Sequence, residues 1–142
     1  MICRAAVDEL RSTFPNRGVV FSTSGHLGGK FDRDRVLQAL DNLLRNACEH
    51  GEGDIHVEAR ATADDQGVVT KVSNRGPVIP PEVIPKLFDP FARGSSSSKQ
   101  GLGLGLYIAA QVAMAHGGVC EASSSSDWTS ITIHWPRNAA SV

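Results

Sequence analysis

The sequence predicts a two-layer α/β (α+β) sandwich: a mixed β-sheet packed on one face by about three helices. Three observations lead there. Helical stretches alternate with hairpin-type strands, a pattern that suits helices gathered on one side of a mixed sheet. One segment carries a strong apolar period of 3.6 residues, while others alternate apolar and polar side chains. The 142 residues, 41% hydrophobic and 20% charged, suit one folded domain.

The elements follow in order. Ile2 to Phe14 has a loosely helical pattern, with Ala5, Ala6, Leu10 and Phe14 on one face, and Pro15 ends it. Gly18 to Ser24 is rich in β-branched and aromatic residues and reads as a strand. Gly25 to Gly29 is a turn, and Lys30-Phe31 a short pairing strand. Asp32 caps a long helix, Arg33 to His50, which stops at Gly51. Val36, Leu37, Leu40, Leu43, Leu44, Ala47 and Cys48 fall on one side of that helix. Arg35, Asn42, Asn46, Glu49 and His50 fall on the other. Asp54 to Arg60 alternates as a half-buried strand, and Gly67 to Ser73 is its hairpin partner across a turn at Asp64 to Gly67. Asn74 to Pro81 reads as irregular, followed by a short helix, Glu82 to Leu87. Arg93 to Gln100 is a serine-rich loop. Gly101 to Gly105 leads into a helix that ends at Ala115 to Gly118. Val119 to Ser123 and Ser130 to Trp135 close the chain as two strands joined by a serine-rich turn.

Charge and composition exclude several classes. The net charge of −1 lacks the basic excess of a nucleic-acid surface. No apolar run approaches the roughly 18 residues of a membrane span, and no signal peptide is visible. Cys3, Cys48 and Cys120 are odd in number and lack metal-ligand spacing, which suits buried thiols in a reducing compartment.

Three groups of residues carry chemistry. Asn42 and Asn46 lie one helical turn apart, so their amides project side by side. Asn is a poor helix former, so two in mid-helix ask for a reason. The amide oxygen of Asn46 is a hard ligand of the kind magnesium accepts beside phosphate oxygens. Gly101, Gly103 and Gly105 stand where a loop becomes a helix, so backbone N–H groups there can approach an anion closely. A flexible hinge is the alternative, although the intervening leucines favour burial. The spacing is neither that of a Walker A loop nor that of a Rossmann turn. Asn74-x-Gly76 after a strand is, by itself, a plain turn.

The order of these motifs resembles the ATP-binding catalytic domain of bacterial sensor histidine kinases, in the GHKL superfamily with the Bergerat fold. GLGLGLYI with a downstream AHGG, LxNLLxNAxxHG and FDPFARG carry the resemblance, which runs from about Val19 to Pro136. It implies ATP and magnesium as cofactors, with Asn46 the metal ligand and Asn42 near the phosphates. It implies catalytic roles for Asn42, Asn46 and Arg93. His50 falls against the base, and Asn74 accepts from the exocyclic amino group of adenine while its NH₂ donates to a ring nitrogen. Gly76 adjoins it, Ile79 walls the base pocket, and Phe88 and Phe91 form the aromatic pair at the base of a lid. Arg93 and Lys99 reach the triphosphate. Gly101, Leu102, Gly103, Leu104 and Gly105 form the second glycine box, and Thr129 completes the pocket.

Four residues depart from the family pattern. Asn74 stands for the usual Asp, Val78 for a glycine, Glu49 for a phosphate-contacting Lys, and Trp128 for the glycine before Thr129. A nucleotide-binding module without phosphotransfer is the alternative they leave open. A serine kinase or ATPase of the same superfamily is disfavoured by Asn42, which cannot act as a general base where those enzymes hold Glu. None of the five histidines stands in a phosphoacceptor motif. The resemblance therefore implies that residues 1–142 form one catalytic domain of a longer cytoplasmic or membrane-bound kinase. Its partners would be a separate histidine-bearing dimerisation domain and a response regulator, with no nucleic acid and no direct membrane contact by this fragment.

Overall fold

The structure, a computed structural model, describes residues 2–90 and 104–137. Phe91, Arg93, Lys99, Gly101, Leu102, Gly103 and the serine-rich loop lie outside the described residues.

Helix α1 (Ile2–Thr13) leads to strand β1 (Val19–Ser24), then to helix α2 (Arg33–His50) and the hairpin β2 (Glu52–Ala61) and β3 (Gly67–Arg75). A short 3₁₀ helix (Ile84–Phe88) precedes α3 (Gly105–Ala115), and the hairpin β4 (Val119–Ser125) and β5 (Trp128–Pro136) completes the sheet. The strand order is β1-β2-β3-β5-β4. β1 and β2 are parallel and the other pairs antiparallel. A parallel pair needs a crossover, and α2 supplies it.

α2 forms where its sequence says it should. The Asp32 carboxylate accepts from Arg35 N–H at 3.3 Å, and Gly51 N–H donates to Ala47 O at 2.9 Å. Val36, Ala39, Leu40, Leu43, Leu44 and Ala47 are buried, while Leu37 and Cys48 are half-buried. Each fully buried Leu contributes about 1.5–3 kcal/mol. Rows of side chains cross the helix-facing side of the sheet in register. Ala59, Thr70, Ile133 and Cys120 form one, and Val57, Val72, Ile131 and Ala122 the next. Thr70 is polar but satisfied, because the Trp135 indole donates to its hydroxyl at 3.0 Å.

α3 ends in a Schellman motif. Gly117 has φ +78°, which glycine adopts without steric cost, Gly118 N–H donates to Ala113 O at 2.8 Å and Gly117 N–H to Met114 O at 2.9 Å. His116 is structural, as its place before two glycines suggests. Asp32 N–H donates to its Nε2 at 3.2 Å, so Nδ1 carries the proton and donates to Val112 O at 2.9 Å.

Several expected boundaries move. Lys30-Phe31 is not a strand; Lys30 makes one backbone bond, to Arg137 O at 3.0 Å. Asn74 and Arg75 are not irregular. They extend β3 because β5 offers partners, Thr129 and Trp128. The short helix begins later than expected and is 3₁₀, with Pro85 near its start. β4 and β5 are longer than expected because Ser126 and Asp127, at φ +50° and +68°, close a two-residue turn. Arg137 is nearly buried. It donates to the carbonyls of His26 and Gly28 at 2.8 and 2.6 Å and to the Asp65 carboxylate at 2.9 Å, tying two loops to the end of β5.

Candidate functional site

The C-terminal half of α2, the ends of β3 and β5, residues 76–80 and the 3₁₀ helix enclose a cavity of about 440 Å³. That volume suits a small-molecule or cofactor site. Asn46, His50, Asn74, Gly76, Ile79 and Thr129 all line it.

Each residue arrives by a local cause. Asn46 and His50 are one turn apart on the polar side of α2. Asn74 is buried at the end of β3, opposite Thr129 of β5. Its Nδ2 donates to Arg75 O at 3.0 Å. One of its two amide hydrogens is thus used inside the protein, which leaves the other hydrogen and the Oδ1 acceptor. Residues 76–80 are held at two points by the β4–β5 hairpin. Gly76 N–H donates to Asp127 O at 2.9 Å, and Ile79 N–H to Ser124 Oγ at 2.8 Å.

Asn42 lies one turn before Asn46, beneath the start of α3. A Cβ at Gly105 would stand 3.8 Å from Asn42 Oδ1. Asn42 Nδ2 is buried and has no hydrogen-bond partner among the described residues. A buried donor without a partner is costly, and an anion near the amino end of α3 would satisfy it. Leu104 is the first residue before that helix. Among the described residues no three His, Cys, Asp or Glu side chains cluster to hold a metal. The donor chemistry fits magnesium carried in with a phosphate, where one amide oxygen such as that of Asn46 suffices.

Lys86, Val83 and Leu87 of the 3₁₀ segment also line the cavity and were not singled out from sequence. Lys86 is its one lining Lys or Arg among the described residues. Arg17 was missed as well. Its guanidinium donates to Cys48 O at 2.8 Å, Gly53 O at 3.2 Å and Gly51 O at 3.3 Å, capping the end of α2 that carries His50. No short-range signal marks it, because its acceptors lie 31–36 residues away. Of the departures, Val78 stands at the cavity, half exposed. Trp128 sits elsewhere, on the open sheet face between Arg75, 4.7 Å from its ring, and His56, at 5.1 Å. Burial pushes the Glu49 carboxyl up from its ordinary value, against the pull of Arg45.

A two-layer sandwich with a polar-floored pocket between one helix and the sheet end defines a small-molecule-binding class of domain. Comparison with known proteins narrows that. The family described as histidine kinase-, DNA gyrase B-, and HSP90-like ATPase matches residues 31–139, and the chain belongs to it. Sensor protein VanSC of Enterococcus gallinarum is 33% identical over 111 residues, covering 76% of this chain and 30% of its own length. Signal transduction histidine-protein kinase AfsQ2 of Streptomyces coelicolor is 36% identical over 113 residues, covering 77% and 21%. The chain therefore spans less than a third of the length of these curated relatives. Among solved structures, the mycobacterial sensor histidine kinase MprB superposes with a TM-score of 0.79 at 26% identity, covering 96% of this chain and 94% of that one. The catalytic domain of histidine kinase ThkA gives 0.78 at 24% identity over 99% and 93%, and supports the fold. Among the described residues, no helix is long and apolar enough to cross a membrane.

Proposed function

We propose that residues 1–142 form the catalytic domain of a sensor histidine kinase, binding ATP with magnesium and transferring the γ-phosphoryl group to a histidine elsewhere in the kinase. The observation that carries this is the cavity itself, where Asn46, His50, Asn74, Gly76, Ile79 and Thr129 converge from three elements and one loop.

The base would enter between His50 and Ile79, with Asn74 Oδ1 accepting from its exocyclic amine. The phosphates would run toward Asn42 and the amino end of α3, where Nδ2 of Asn42 and the backbone N–H groups at Leu104 and Gly105 meet negative charge. Gly101, Leu102 and Gly103 would extend that cradle in this reading, Phe91 would belong to the base of a lid, and Arg93 and Lys99 would neutralise the triphosphate. Asn46 would hold magnesium, which when bound neutralises phosphate charge. The chain's own residues act by orientation and by electrostatics. Asn42 offers no base to activate water, so the phosphoryl group is kept for an imidazole acceptor. That acceptor belongs to a dimerisation domain, with a response regulator downstream and the cytoplasm as the setting.

Radiolabelled ATP with the separately supplied histidine-bearing domain tests the reading. An acid-labile phosphoryl product is expected. An acid-stable product points to serine, and no product with intact ATP binding points to a module without phosphotransfer. Calorimetry with Asn46→Ala should show a loss of magnesium-dependent ATP binding.

A further inference from the structure

The sheet rows that carry the apolar core are followed by a polar one. Asn74, Thr129 and Ser124 stand side by side across β3, β5 and β4, on the face that looks toward the helices. Thr129 and Asn74 line the cavity; Ser124, half-buried, does not. Ile79 N–H donates to Ser124 Oγ at 2.8 Å, and Ser124 Oγ lies 3.2 Å from Thr129 Oγ1.

A hydroxyl has one proton to give. Were Thr129 to donate to Ser124, the Ser124 oxygen would accept twice and its own proton would have no acceptor among the bonds of the described residues. With Ser124 donating onward, the hydroxyl proton left without a protein acceptor is that of Thr129, which lines the cavity where a ligand can take it. Ile79 N–H then points to Ser124, Ser124 O–H to Thr129, and Thr129 O–H into the cavity. The Asn74 amide is oriented too, because one Nδ2 hydrogen goes to Arg75 O at 3.0 Å, which fixes the side on which Oδ1 offers its acceptor and leaves one Nδ2 hydrogen over.

We propose that Ser124 is a positioning residue that sets the polarity of the base pocket, holding the Thr129 hydroxyl as a donor beside the Asn74 acceptor. The proposal rests on the nucleotide-binding reading and deepens it. An acceptor next to a donor matches a purine edge that presents an amino group next to an unprotonated ring nitrogen. A 6-oxopurine presents a carbonyl and a ring N–H there, so acceptor meets acceptor and donor meets donor. A lone threonine hydroxyl could rotate to accept from that N–H. The bond from Ser124 occupies one of the two lone pairs of the Thr129 oxygen and so restricts that rotation.

Calorimetric affinities for ADP and inosine diphosphate, each with magnesium, test this on the wild-type chain and on Ser124→Ala, Ser124→Thr and Thr129→Val. The wild type is expected to prefer ADP. Ser124→Ala should narrow the preference about five- to tenfold, in line with the loss of one hydrogen bond, and Thr129→Val should narrow it similarly. Ser124→Thr, which keeps the hydroxyl, should preserve it. If Ser124→Ala weakens both nucleotides equally and leaves their ratio unchanged, Ser124 is only a loop anchor and the proposal is overturned while nucleotide binding stands. If the wild type binds neither nucleotide, the nucleotide reading falls and this proposal with it. A thermal melt of each variant confirms that the folded protein is being compared.

Discussion

A Cβ at Gly51 would lie 2.5 Å from Cγ of Asn74 and 2.7 Å from Ala47 O. The glycine that ends α2 thus makes room for the side chain that ends β3. Its backbone, at φ −110° and ψ 172°, is extended and open to any residue. Space, not conformation, is what Gly51 provides. Gly51→Ala should therefore destabilise the domain by about 1–3 kcal/mol through overpacking. It should also weaken nucleotide binding about tenfold or more by displacing Asn74, equivalent to roughly 1.4 kcal/mol. Urea denaturation and calorimetry read the two effects separately.

Asn42 offers the opposite balance. Its buried Nδ2 lacks a partner among the described residues, and Asn is less favourable than Ala inside a helix. Asn42→Ala should leave the nucleotide-free domain as stable as before or stabilise it by about 0.5–2 kcal/mol. The same change should weaken ATP binding. A thermal melt without nucleotide and a titration with it would show these opposite signs; a clear loss of stability in the free domain would show that Asn42 has a structural role instead.

Arg17 joins the segment after α1 to the carboxyl end of α2 through three carbonyls. Arg17→Ala leaves those acceptors at a helix end without their cation, a loss of about 1–3 kcal/mol. Arg17→Lys should recover only part of it, because a single ammonium cannot reproduce the guanidinium fork. Urea midpoints of the three proteins check the order.

The thiols give a pH dependence. Burial pushes Cys3 up from 9.0 to about 11, and burial, aided by Glu121, pushes Cys120 up to about 12. The folded state therefore holds these protons more tightly than the unfolded chain. Their contribution to stability is intact below about pH 9 and is lost as pH rises through 9 toward 11 and 12. Urea midpoints should fall along that alkaline limb, and less steeply in Cys3→Ala and Cys120→Ala. At pH 8, iodoacetamide should label both thiols of the native protein at least about tenfold more slowly than those of the unfolded chain.

α2 was legible from end to end, since Asp32, the apolar period and Gly51 lie within one continuous stretch. The candidate site residues on it, Asn42, Asn46 and His50, could be placed along the helix for the same reason. The end of β3 was not legible. Asn74, Arg75 and Gly76 carry turn composition, and only pairing with Trp128 and Thr129 makes the first two a strand. Ser124 was hidden in a run of four serines that reads as a turn, although its hydroxyl binds Ile79, 45 residues away.

By itself the chain determined helices α1, α2 and α3, its apolar faces and the spacing of its polar motifs, because periodicity and capping act over a few residues. Tertiary structure alone decided how far the strands run, that Arg17 caps a distant helix, and that Ser124 holds Ile79. Those outcomes depend on hydrogen-bond partners and on space supplied by remote segments, which no local pattern can encode.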